Sequence, residues 1–423
     1  MEDKTIGMEH KRPLALYVHI PFCVRKCNYC DFLSGPADEE SKSAYVKALI
    51  HEIYSYRDLG KQYRVETIFI GGGTPSSIHE SHIKQIMEAL EDVFCFEARR
   101  NSQLEITIEI NPGTISREKL QTYFDAGINR ISFGLQSAND EELKLLGRIH
   151  TFEQFTKNYA LAREVGFKNI NIDLMSSLPG QTMEKYTHTL NQIFALNPEH
   201  ISAYSLIIEE GTPFYELYGE HIDEKEVGED SKNHKNKDKL NHLENILTLP
   251  SEEEDRSMYE ATLSLMHQHG YERYEISNYA KQGYECKHNC TYWKRGDYLG
   301  IGTGAASLLH NRRHSNECDL ETYIELSKIS NKEEYHNQLH QNKEQLDEQS
   351  QMEEFMFLGL RMMQGVAIEE FELNFHQSIE KVYGKTIDKL VEEGLLTVNN
   401  DRISLTQHGI DISNYVMSEF LLD

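Results

Sequence analysis

Six short runs rich in apolar or β-branched residues, at 14–20, 67–70, 104–110, 128–133, 169–174 and 201–208, recur through the first half of the chain, and most are followed within a few residues by Gly, Pro or Asn. Between them lie stretches at helical spacing, such as Tyr45, Leu49, Ile53 and Tyr56. Strand runs alternating with helical patterns read as β-α units, and parallel strands need such a crossover. Six successive units predict an α/β fold built on a partial (β/α)6 barrel. In barrels of this kind the working residues lie just beyond the C-terminal ends of the strands, where the Gly-rich and polar segments of this chain also fall.

At 423 residues the chain exceeds one ordinary domain, and with 39% hydrophobic residues it can bury a sizeable core. Four parts are expected: the barrel over 1–215, an acidic and polar insertion over 216–256, a segment over 257–340 that packs on the barrel, and a helical, winged-helix-like domain over 341–423. Within 221–256, Glu, Asp, Lys and Asn dominate and only a few apolar residues, such as Leu240, Leu243 and Ile246, interrupt them. That composition cannot bury enough apolar surface to order itself, so a solvated, disordered stretch is expected. Helical spacing resumes at Tyr259, Leu263 and Met266. Further on, Phe355, Leu358 and Leu360 begin one helix, 387–395 reads as a second, and 396–405 reads as a hairpin around Asn399, Asn400 and Asp401.

The formal net charge of -26 disfavours a nucleic-acid partner, because phosphate binding is built on clustered Lys and Arg. The winged-helix-like domain, without a basic recognition face, is therefore expected to pack on the barrel. No apolar run approaches the ~20 residues that span a bilayer, and the start Met1-Glu2-Asp3-Lys4 has no secretory leader. A cytoplasmic protein without an integral membrane segment is expected.

Cys23, Cys27 and Cys30 stand at C-x3-C-x2-C spacing directly after the first strand run. Iron-sulfur clusters are normally held by four Cys, so three on one loop leave one iron free for an outside ligand. The competing readings are a structural zinc site and a disulfide pair. Zinc prefers a closed tetrahedral set, and the next Cys is Cys95, while disulfide frameworks belong to small secreted domains.

Gly71-Gly72-Gly73-Thr74-Pro75 follows the second run, and successive glycines let backbone N–H groups approach a ligand. On its own this is equally a tight strand-to-helix turn. Glu109 ends the third run, Gln136 ends the fourth and Asp173 lies in the fifth; each is a polar side chain whose burial without a partner would be costly. Satisfied structural groups would look the same, but their placement on one rim favours a shared ligand. Ile301-Gly302-Thr303-Gly304 lacks the G-x-G-x-x-G spacing of a dinucleotide turn.

The cysteine run, the glycine turn, Glu109-Ile110-Asn111-Pro112, Phe133-Gly134-Leu135-Gln136-Ser137, Leu146-Gly147-Arg148-Ile149-His150 and Asp173-Leu174-Met175 together resemble the radical S-adenosylmethionine (SAM) proteins of the oxygen-independent coproporphyrinogen III oxidase-like family. The resemblance implies a [4Fe-4S] cluster on Cys23, Cys27 and Cys30, with SAM at its open iron and one-electron cleavage to a 5'-deoxyadenosyl radical. It implies SAM contacts at Gly72, Gly73 and Thr74, with Glu109, Gln136, Arg148 and Asp173 lining the same molecule and Tyr17, Tyr29 and Phe32 beside the cluster. Asp173 would suit the ribose hydroxyls and Arg148 the carboxylate.

Within that family the coproporphyrinogen dehydrogenases carry a further Cys two residues after the third ligand and a longer N-terminal extension; here Asp31 and Phe32 follow Cys30, and 22 residues precede Cys23. His288-Asn289-Cys290-Thr291-Tyr292-Trp293 matches the H-N-x-x-Y-W motif of the haem-chaperone branch. Imidazole is a common axial ligand of haem iron, so the resemblance makes His288 a haem-ligand candidate, flanked by Tyr292 and Trp293. Taken alone, a His beside aromatics is as readily structural. Cys286 and Cys290 flank it as inert thiols or as parts of a second metal site. The implied function is binding of haem as cargo and its transfer to haem-dependent proteins, membrane haem proteins among them; radical decarboxylation of coproporphyrinogen propionates is the alternative.

Overall fold

The computed structural model describes residues 11–96, 103–219 and 247–422. The six expected strands are present as β1 (Arg12–Ile20), β2 (Tyr63–Gly72), β3 (Glu105–Ile110), β4 (Arg130–Gln136), β5 (Asn169–Ser176) and β6 (His200–Ser205), paired in parallel in chain order. Helices Glu39–Ser55, Glu80–Phe94, Arg117–Asp125, Phe152–Val165 and Met183–Leu196 make the crossovers.

The register explains why the sheet curves around a polar interior. One face carries aligned rows such as Ile70, Ile108, Ile131 and Ile170, then Ile110, Phe133, Ile172 and Ile201. These pack with helix residues including Leu49, Leu90 and Leu190 into the main core. The other face carries Glu109, Ser132, Asn171 and His200 in one row. A parallel sheet covered by helices on both faces would be apolar on both. Here the second face is a hydrogen-bonded lumen: Asn171 donates to Ser132 Oγ at 2.7 Å and faces His200 Nδ1 through its Oδ1 at 2.6 Å.

The sheet extends beyond the six expected strands. β7 (Glu272–Glu275) and β8 (Asn278–Ala280) join antiparallel beyond β6. Next to β1, β9 (Tyr298–Ile301) pairs in parallel, followed by β10 (Ala306–Leu309), β11 (Arg312–Asn316) and β12 (His340–Gln345), giving a 12-stranded sheet. The added strands are short, three to six residues each, and β11 and β12 are polar with β12 largely exposed, so no apolar run announces those two. Buried Glu52 ties them to the first helix by accepting from Gly302 N at 2.9 Å and Asn316 Nδ2 at 2.7 Å.

The helix expected near Tyr259 begins at Glu252, inside the span assigned to the insertion, because Ser251 and Glu254 form a capping box. Leu240, Leu243 and Ile246, with the rest of 220–246, lie outside the described residues. Further along, helices Glu348–Gly359, Ile368–Phe375 and Ile379–Glu392 alternate with β13 (Val366–Ala367) and the hairpin β14 (Leu396–Asn399) and β15 (Arg402–Leu405), the winged-helix order, around a second apolar core. The hairpin turns at Asn400 and Asp401, within the expected Asn399, Asn400 and Asp401, with Asn400 at φ 54°. Buried Glu354 joins this unit to the sheet through Arg295 at 2.9 Å and Arg313 at 2.5 Å. Among the described residues no helix is long and apolar enough to cross a membrane.

Candidate functional site

The cysteine loop leaves β1 at Pro21 and is held by backbone bonds from Cys23 N to Gly35 O (2.9 Å) and Gly35 N to Pro21 O (3.0 Å). Asn28 fastens it to the turn before Arg148, with its N to Leu146 O at 3.0 Å and its Nδ2 to Leu145 O at 2.8 Å. The loop after β2 meets it from the other side, as Gly73 N donates to Ile20 O and Thr74 N to Phe22 O. Three segments far apart in sequence therefore converge on the thiols. Cys23 Sγ lies 3.5 Å from Thr74 Oγ1, and Arg148 Nη1 lies 3.5 Å from Cys27 Sγ.

Cys23, Cys27 and Cys30 are free thiols, each half-buried, so the disulfide reading is not met. No three His, Cys, Asp or Glu side chains among the described residues are placed to hold a single metal ion. What the loop offers is three separated, accessible sulfurs beside a guanidinium, which suits the corners of a cluster. Burial raises the Cys30 pKa, and the neighbouring Cys27 and Cys23 add to it.

The glycine turn admits nothing larger. Gly72 sits at φ +111°, and a Cβ there would lie 2.5 Å from His19 Nδ1; one at Gly71 would lie 2.9 Å from Glu109 Oε2, and one at Gly73 2.8 Å from Phe22 O. Gly72 N donates to Glu109 Oε2 at 3.2 Å. Burial first, and then the Asp173 charge, push the Glu109 carboxyl up to about 8. Asp173 is also raised by burial, although Asn171 Nδ2 (2.7 Å) and Ser132 Oγ (3.3 Å) donate to it. Two neighbouring carboxyls are thus both held toward their neutral forms in one lumen, a state that a nearby cation would reverse.

Arg148 is bonded to Gly134 O, and its buried Nε has no partner. A bulge between Gly134 and Gln136 ends β4 with Gln136 at φ 78°, close to the same guanidinium. Tyr17 bonds His19 Nδ1 through its hydroxyl at 3.0 Å and stacks on Phe69, while Tyr29 packs against Leu146, Met175, Leu178 and Phe214. Glu109, Gln136, Arg148, Asp173, Tyr17 and Tyr29 thus line one end of the barrel with the thiols. Phe32 stands apart, exposed on the outer side of the loop.

His288 does not fit an open axial ligand. Its ring is buried and stacked on Phe69, with Nδ1 2.8 Å from Thr67 Oγ1 and Nε2 2.8 Å from Tyr292 Oη, leaving neither nitrogen unpaired. Burial lowers its pKa to about 3, so it is neutral. Nor do Tyr292 and Trp293 offer a porphyrin face: Tyr292 packs edge-on against Tyr298, and Trp293 lies under the Arg361 guanidinium at 4.3 Å. The helix Lys287–Trp293 instead closes the lumen from the N-terminal side of the strands, its first amides bonded to buried Glu105 from Lys287 N and His288 N, each at 3.2 Å.

Sequence reasoning missed His19, Arg130, Asn171 and His200, all buried in the lumen. For Arg130, Asn171 and His200 the signal was present as polar residues alternating with Ile131, Ile170, Ile172 and Ile201 along their strands, whereas His19 shares its side of β1 with Ala15 and Tyr17 and has no such signal.

Residues 17–193 match the Radical SAM superfamily and residues 346–412 the HemN C-terminal domain. The chain is 35% identical over 413 residues to "Heme chaperone HemW" of Lactococcus lactis subsp. lactis, covering 98% of each, and 36% identical over 406 residues to the protein of that name from Bacillus subtilis, covering 96% of this chain and 98% of that one. Its fold is that of coproporphyrinogen III oxidase (HemN) from Escherichia coli, a radical SAM enzyme, with a TM-score of 0.78, 23% identity and coverage of 100% of this chain and 94% of that one.

Proposed function

The chain belongs to the HemW family of radical SAM proteins, and on that premise we propose that it takes up haem and passes it to haem-requiring proteins of the cytoplasm or its membrane. The observation that carries this reading is identity above 30% along nearly the whole length of relatives named haem chaperones. The residue pair Asp31-Phe32 after Cys30, where the dehydrogenases carry another Cys, supports it further.

Cys23, Cys27 and Cys30 would hold a [4Fe-4S] cluster, and SAM would lie between them and the strand ends. When bound, that pair supplies one-electron chemistry at the sulfonium. The residues of this chain do the positioning. The glycine turn brings Gly72, Gly73 and Thr74 against the ligand without side-chain obstruction, and the orphaned Arg148 Nε is a donor suited to a carboxylate. Glu109 and Asp173 answer the positive charge of SAM, and on its arrival the Glu109 pKa, raised to about 8, falls and the carboxyl releases its proton. Gln136 and Tyr29 close the sides, and Tyr17 fixes His19 beneath Gly72.

The test is an anaerobic haemin titration of the reconstituted protein followed by Soret absorbance. Saturable, stoichiometric binding is expected. Absence of saturation, together with turnover of coproporphyrinogen to a decarboxylated product, would replace the chaperone reading with an enzymatic one.

A further inference from the structure

Val24, Phe32 and Leu33, on the loop that carries the three thiols, are 56%, 60% and 44% exposed, and none of them belongs to an apolar core. The loop does not need them for its shape, which the backbone bonds at Cys23 and Gly35 and the Asn28 side chain already fix. Three large apolar side chains turned to water on one loop make an interaction surface rather than scattered exposure. We propose that this outer face of the cysteine loop is the docking site of a one-electron carrier protein, one whose redox group lies in an apolar surface ringed by carboxylates. The inference rests on the cluster reading above and assigns its electron a route.

Two observations carry it, and the first is distance. Val24 follows Cys23 directly and Phe32 stands two positions after Cys30, so their backbones lie within roughly 4–8 Å of the cysteine backbones. Electron transfer weakens steeply with distance, and a partner approaching from the other end of the barrel would be farther away by the length of β2, roughly 30 Å. Each cleavage of SAM consumes one electron, which has to be restored from outside the chain. The donor gives up one electron to the cluster; no bond forms or breaks, and no proton moves.

The second observation is charge. In a chain of net charge -26, Arg25 and Lys26 stand exposed on this loop and Lys144 on the adjoining turn, and none of the three is in an ion pair among the described residues. Arg25 bonds the Gly147 carbonyl, from Nε at 3.2 Å and Nη2 at 2.6 Å, and Lys26 Nζ bonds that of Phe32 at 3.1 Å, while Gly147 N bonds Lys144 O at 3.0 Å. A cation bonded to a neutral carbonyl keeps its charge. Asp31 is the one carboxylate between Pro21 and Gly35. A basic rim beside apolar side chains, on an otherwise acidic protein, selects a partner with carboxylates around an apolar centre and steers it to this face. One loop and one turn make a small face, as suits the weak encounters of redox partners.

The experiment mixes a bacterial flavodoxin hydroquinone, an acidic one-electron donor, anaerobically with reconstituted full-length wild type, F32S, R25E/K26E and K381E/K385E, and follows flavin oxidation by stopped flow. Kd comes from the NMR shifts of the isotope-labelled oxidised flavodoxin. K381E/K385E makes the same charge change on two exposed lysines of the C-terminal unit and should stay within about twofold of wild type. R25E/K26E should slow reduction by about tenfold or more at low salt, flatten its salt dependence and raise Kd in parallel. F32S should slow it several-fold and keep the salt dependence. Dithionite, which needs no docking, should reduce all four clusters alike at equal iron content. Rates and Kd values in R25E/K26E and F32S that match K381E/K385E would overturn the assignment, as would a wild-type cluster that dithionite reduces and flavodoxin does not. Absence of iron from reconstituted wild type would instead remove the cluster reading, and this docking site with it.

Discussion

Glu109→Gln tests the electrostatics of the lumen. The Glu109 carboxyl is raised from an ordinary 4.5 to about 8, chiefly by burial and then by Asp173. A carboxyl raised in the fold stabilises the native state most fully below its unfolded value, and that contribution is lost as pH rises from 4.5 through 8. At about 1.36 kcal/mol per unit, the gap corresponds to a ceiling of about 5 kcal/mol. Relaxation of the surroundings around the ionised carboxylate reduces it to about 2–3 kcal/mol. Glutamine keeps an acceptor for Gly72 N but cannot ionise. Urea unfolding of wild type and E109Q without SAM, at pH 5, 7 and 9, should show the variant gaining about 2 kcal/mol or more over wild type between the extremes. Glu52, raised to about 7, contributes the same slope to both proteins and cancels. A stability difference independent of pH would refute the idea that Glu109 is protonated in the empty site. Saturating SAM should abolish the gain, because a bound cation favours the carboxylate.

Glu105→Ala removes the acceptor of the buried His288 amide and the part-buried Lys287 amide and a neighbour of the buried Arg130 guanidinium, and should cost about 3–5 kcal/mol in the same unfolding assay; a loss below about 1 kcal/mol would show that the motif helix is held by other contacts. Replacing Cys23, Cys27 and Cys30 together by Ala should remove the iron and the visible absorbance of the reconstituted cluster while preserving far-ultraviolet circular dichroism; retained iron in stoichiometric amount would move the cluster away from this loop.

The six barrel strands were legible because each puts Ile, Leu or Phe on the helix-facing side, as Ile106, Ile108 and Ile110 do in β3. The cysteines and the glycine turn were legible because chemistry and sterics restrict both to few residue types. The outer strands were not: Arg312–Asn316 and His340–Gln345 carry no apolar alternation, and their pairing is decided by partners elsewhere in the chain. His288 was conspicuous as part of a motif, but its role depends on Thr67, 221 positions away, and on the Phe69 ring. Periodicity carries no information about such contacts. A cavity of about 1090 Å³ beside the start of β2 is hidden for the same reason, since β2, the helix Lys287–Trp293 and the turn at Met362 and Met363 line it from distant stretches of sequence.

Glu354, buried between Arg295 and Arg313, has a consequence for modularity. A winged-helix unit is usually a detachable reader head, joined by a linker and free to be exchanged. Here its removal would strand the largely buried Arg295 without its carboxylate and strip Arg361 from Trp293. It would also take Met362, Met363 and Gln364 from the wall of the cavity beside the start of β2. The C-terminal unit is therefore masonry of the barrel floor, and the two parts must be inherited, expressed and engineered as one piece.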